Sequence, residues 1–126
     1  MQNVWRWFLR LAVIYALIGM AGGIAMGMAE DFRFASAHAH LNLLGWVSMA
    51  LAGLFYRSMP VAGRLPQVHF WLANAGMVML VSAIAGFQLG MTALLPLAIL
   101  GSFTVIGAMA LFAVIVFRAT ARPVVS

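Results

Sequence analysis

The spacing of its few charges constrains this chain more than any other feature. Seven arginines, two carboxylates and no lysine are scattered over 126 residues. Between them lie uncharged stretches of 19 residues (11–29), 23 residues (34–56) and 53 residues (65–117). A helix that crosses a bilayer needs about 20 apolar residues. The first two stretches fit one span each. The third fits two, and Gly90, Thr92 and Pro96 supply turn chemistry for a break at 90–96. The pattern predicts an all-α, polytopic membrane protein with four transmembrane helices at about 5–29, 34–57, 67–90 and 94–118. These form a single four-helix membrane domain over 1–126, with short loops that favour antiparallel neighbours.

Composition removes the competing classes. The chain is 66% hydrophobic and 7% charged, where a soluble domain carries about 25% charge. Such hydrophobicity also excludes a disordered chain. The net charge of +5 does not indicate a nucleic-acid partner, because the arginines never form a basic run. The absence of cysteine removes disulfides and thiolate metal sites. The first apolar stretch exceeds the roughly 7–15 residues of a cleaved leader's core, so it is read as a span.

The arginines also predict orientation. Arg6 and Arg10 precede span 1, Arg57 and Arg64 separate spans 2 and 3, and Arg118 and Arg122 follow span 4. Short loops rich in arginine stay in the cytoplasm, which places both termini there and leaves Arg33 outside with Glu30 and Asp31. Trp5, Trp7, Tyr56 and Trp71 then read as interfacial anchors.

An ionisable side chain inside a span is costly and marks a candidate site. His38 and His40 lie early in span 2. Near that end they are either histidines solvated by headgroups or ligands. Two residues apart on a helix means about 200° apart around it, so they point to nearly opposite sides. They cannot easily share one metal ion, but they can serve two neighbouring sites. A zinc or copper centre needs three or four donors, more than the spans hold. A heme needs one or two, and with no C-x-x-C-H sequence it would be bound non-covalently. His69, at the other end of the bundle, reads as a histidine packed among aromatics at a helix start. Gly19, Gly23 and Gly27 form a small-xxx-small stripe suited to close helix contact.

The stretch His38-Ala39-His40-Leu41-Asn42-Leu43-Leu44-Gly45-Trp46-Val47 resembles the tenth helix of the catalytic subunit of heme–copper oxidases. The likeness is greatest to the C-family oxidases and the related nitric oxide reductases, with their His-x-His and following Gly-Trp. Val68-His69-Phe70-Trp71-Leu72, Gly76 and Gly86-Phe87-Gln88-Leu89-Gly90 look like the eleventh helix of that family. The resemblance covers roughly 34–90; spans 1 and 4 correspond to the ninth and twelfth helices by position only. It implies that His38 takes the family's high-spin heme position and His40 its low-spin one. The family's copper histidines, its second low-spin axial histidine and its cross-linked tyrosine pair have no counterpart here. No copper is therefore expected, and oxygen reduction by the family route does not follow for this chain alone.

That subunit has pseudo-threefold symmetry, and this chain resembles its last four-helix unit, one third of a twelve-helix ring. Small membrane proteins commonly build larger cores as closed symmetric oligomers. The expectation is a homotrimer in which His40 of one protomer faces His38 of the next across a heme b. Arg33 pairs either with heme propionates or with Glu30 or Asp31. Ser36, Asn42 and Ser48 are further donors near the heme edges. The resemblance implies a lipid-embedded protein of a bacterial inner membrane, working in electron transfer or in binding NO or O2, with a respiratory oxidase or other redox protein as partner. The alternative is a heme-free accessory or assembly subunit of a respiratory oxidase or nitric oxide reductase.

Overall fold

A computed structural model describes residues 3–121 and 123. Arg122, expected on the cytoplasmic side, lies outside the described residues. The described residues are helical, with no strand among them. Four helices are long and apolar enough to cross a membrane. They are α1 (Val4–Ala29), α2 (Ala35–Ser58), α3 (Leu65–Gln88) and α4 (Leu95–Thr120), the last preceded by a 3-10 turn over Thr92–Leu94.

The helices stop for identifiable reasons. At the end of α1, Glu30 adopts the left-handed conformation at φ 51°, and Asp31 N–H reaches back to the Met26 carbonyl. Gly90 at φ 79° ends α3 in the same way, with Met91 N–H on the Gly86 carbonyl. This 6→1 closure satisfies carbonyls that a bare helix end would expose. Pro66 and Pro96 sit in the first turns of α3 and α4, where a missing N–H costs nothing.

Glycines decide how the helices meet. Along α1 and α2, Gly19, Gly23, Gly45 and Gly53 each receive a larger side chain from the other helix. A Cβ on Gly23 would lie 3.0 Å from the His38 ring, one on Gly19 2.6 Å from Asn42, and one on Gly45 3.0 Å from Tyr15. On Gly53 it would lie 2.9 Å from Leu9. The order runs backwards along one helix as it runs forwards along the other, so α1 and α2 are antiparallel. Gly27 touches nothing within 4 Å, so the stripe seen in the sequence works at two of its three positions. Between α3 and α4 the approach is closer still. Cβ atoms on Gly76 and Gly101 would meet backbone nitrogens of Val105 and Leu80 at 2.8 Å each. Lipid tails give helices no hydrophobic reason to associate, so close backbone packing carries that role.

The two helix pairs join around a core of Phe8, Met49, Ala52, Tyr56, Phe70 and Ile115. This core lies toward the end of the bundle that carries Arg6, Arg57, Arg64 and Arg118. Tyr56 was expected to be an interfacial anchor, but it is buried at 3% exposure. Its hydroxyl is 2.9 Å from His69 Nδ1, so its polar tip is satisfied within the bundle rather than by headgroups or water.

Candidate functional site

His38 and His40 belong to the first turns of α2, where the backbone is α-helical over Ala35–His40. Their side chains therefore diverge as helix geometry requires. His38 turns toward α1 and packs over Gly23. His40 lies on the other side of the helix, and its Nδ1 bonds within α2. The next residues, Leu41–Val47, form a π-helical stretch, and Ser48 Oγ donates to the Leu43 carbonyl at 2.7 Å. Wide turns of this kind are rare and occur disproportionately at functional sites.

The two imidazoles are held differently. His40 Nδ1 lies 2.7 Å from the Ser36 carbonyl oxygen, which can only accept, so Nδ1 carries the proton and donates. Nε2 is thereby left with its lone pair, and the ring is half-exposed. This is the arrangement found behind metal-bound histidines. His38 has the opposite pattern. Asn42 Nδ2 donates to the His38 carbonyl at 2.8 Å and approaches His38 Nδ1 at 3.4 Å. An amide N–H facing Nδ1 puts the imidazole proton on Nε2. His38 becomes a ligand only once Asn42 turns and Nδ1 takes the proton.

His38 borders an open groove of about 320 Å³ between α1 and α2, with Val81 of α3 also lining it. Ile18, Gly22, Met26, Phe34, Ala37 and Leu41 also line it. Its volume is at the low end of ligand pockets, roughly 300–1,000 Å³. The lining is apolar apart from the histidine, so a flat apolar group would fit with its edge beside His38.

Arg33 is not free in this structure. Its Nε lies 2.9 Å from Asp31 Oδ2, and its backbone N–H donates to Asp31 Oδ1 at 3.1 Å. The backbone N–H and the guanidinium hold the Asp31 carboxyl below its ordinary range. Of the two pairings open to Arg33, the one with Asp31 is formed here.

His69 lies at the other end, in α3, at 4% exposure. Its ring stacks on Phe112 at 4.8 Å and lies 5.1 Å from Phe8. It packs among aromatics near a helix start, as expected. A polar pair absent from the sequence reading lies deeper in the bundle. Tyr15 Oη donates to Asn74 Oδ1 at 2.8 Å, and Asn74 Nδ2 donates to the Phe70 carbonyl at 2.8 Å. Tyr15 and Asn74 are the polar residues near the middle of their spans, which is the signal that would have singled them out.

Among the described residues, no three histidine, cysteine or acidic side chains gather into a metal-binding group. No protein family, curated protein or solved structure matches the chain.

Proposed function

We propose that this chain is a membrane-embedded b-type heme-binding protein, related to the catalytic subunit of heme–copper oxidases, that transfers electrons or binds NO or O2. It sits in a bacterial inner membrane with both termini in the cytoplasm. The observation that carries the reading is His40: its Nδ1–H is committed to the Ser36 carbonyl, which leaves the lone pair on Nε2 for a ligand. A heme iron bound there would supply reversible one-electron chemistry. The donor set fits at His40. At His38 it fits after the Asn42 amide turns.

Opposed histidines on one helix give a homotrimer two different half-sites per protomer. His40 of one copy and His38 beside the groove of the next would hold one heme, and the ring closes after three copies. Arg33 engages Asp31 through Nε, so its terminal nitrogens can still receive a propionate at the outer edge.

A heme-free accessory or assembly subunit is the second reading. It is favoured by His38 alone, whose ring already fills the space over Gly23 and is satisfied by Asn42. The two readings differ in a His40→Ala variant. Under the first it loses the low-spin heme signal completely, because the three interfaces are equivalent. Partial loss contradicts equivalent hemes, and no heme in the native protein favours the second reading.

A further inference from the structure

Among the described residues, every charged side chain at one end of the bundle is basic. Arg6 and Arg10 on α1, Arg57 on α2, Arg64 before α3 and Arg118 on α4 lie there and are exposed. The two carboxylate side chains, Glu30 and Asp31, lie at the opposite end, and Asp31 is taken by Arg33. Five exposed guanidinium groups therefore have no carboxylate side chain within their end of the protein.

Three of these rest on aromatic rings rather than waving in solvent: Arg10 lies 5.3 Å from the Trp7 centroid, and two share Trp5. The guanidinium carbons of Arg6 and Arg57 each lie 5.3 Å from the centroid of the Trp5 ring. A guanidinium on an aromatic face keeps its N–H edge for an oxyanion and loses less entropy on binding one. Beside Trp5 and Arg57 opens a groove of about 440 Å³, between the start of α1 and the α2–α3 loop. Asn3, Tyr56, Pro60 and Gln67 also line it. The Trp5 side chain places it at the depth of lipid headgroups.

We propose that this groove binds the headgroup of an anionic phospholipid, with the phosphate on Arg57 and the glycerol along Trp5, while Arg6, on the same ring but outside the groove, adds positive charge beside it. Cation pairs next to a span are typical receivers of such headgroups, at about fivefold in affinity per arginine. The occupant is a lipid rather than a soluble anion because the groove opens at the ends of membrane-long helices, where acyl chains run down their apolar faces.

Native mass spectrometry of the detergent-purified full chain tests this, with phosphatidylglycerol and phosphatidylcholine as probes. The protein should retain phosphatidylglycerol over phosphatidylcholine. Arg57→Gln, which removes the guanidinium that lines the groove, should weaken retention about fivefold. Arg118→Gln, outside the groove, should leave it unchanged, and circular dichroism checks that each variant stays helical. Equal retention of the two lipids overturns the proposal. Equal loss in the Arg118 variant overturns it too, because it would report only net charge. Displacement by millimolar inorganic phosphate would make the groove a soluble-anion site and likewise overturn it.

Discussion

The Nδ1 of His40 donates to the carbonyl oxygen of Ser36 across one helical turn, at 2.7 Å. That bond fixes the tautomer of a histidine in the first turns of α2. His38, two residues earlier, receives an amide N–H from Asn42 instead. One helix thus holds two imidazoles in opposite tautomers on opposite sides.

The first prediction follows from Asn42. Replacing it with leucine removes the N–H facing His38 Nδ1 and leaves the ring free to choose its tautomer. Heme-reconstituted Asn42→Leu protein should keep a low-spin spectrum and bind heme at least as tightly as the native chain. A loss of heme comparable to that of His38→Ala would mean that Asn42 supports ligation instead of opposing it.

Glycine substitutions should sort by what they touch. Gly76→Ala drives a Cβ to 2.8 Å from the Val105 backbone nitrogen, which cannot step aside. The expected cost is about 1–3 kcal/mol, read as a lower unfolding temperature in detergent. Gly27→Ala and Gly107→Ala meet nothing within 4 Å and should leave the transition where it is.

Tyr56 and His69 form a buried pair at 2.9 Å. Tyr56→Phe leaves an imidazole nitrogen without its partner and should destabilise by about 1–3 kcal/mol. Adding His69→Phe removes the orphaned group, and the double variant should recover part of that loss. A double-mutant cycle in a denaturant titration measures the coupling. Purely additive costs would show that the hydrogen bond contributes nothing.

Asp31 gives a pH dependence of known sign. Its folded pKa lies below that of the unfolded chain, first because of the Arg33 backbone N–H and then the Arg33 side chain. The pair's contribution is thus complete above the ordinary carboxylate range and is lost as pH falls through the lowered value. A carboxyl titration by NMR should show Asp31 moving up in Arg33→Gln protein. The backbone N–H bond remains in that variant, so part of the depression should persist.

The four spans and the break near Gly90 were legible because charge spacing and apolar length are one-dimensional properties. The divergence of His38 and His40 was legible for the same reason, since it depends only on residues per turn. What each imidazole bonds to was not. It depends on the Ser36 carbonyl and on the rotamer of Asn42 over Gly19, and neither leaves a periodic trace. Tyr56 read as an interfacial anchor because its place at the end of a span is what an anchor shows. Only the packing of α3 beside α2 puts His69 within its reach. The π-helical stretch over Leu41–Val47 has no signal in composition at all.

The most direct test of heme binding is the absorption spectrum of the purified chain, oxidised and then reduced, with heme quantified against protein. Ligation by His38 and His40 across identical interfaces predicts a low-spin, bis-imidazole b-type spectrum and about one heme per chain. A protein that purifies without heme and takes up none when heme is supplied would contradict it.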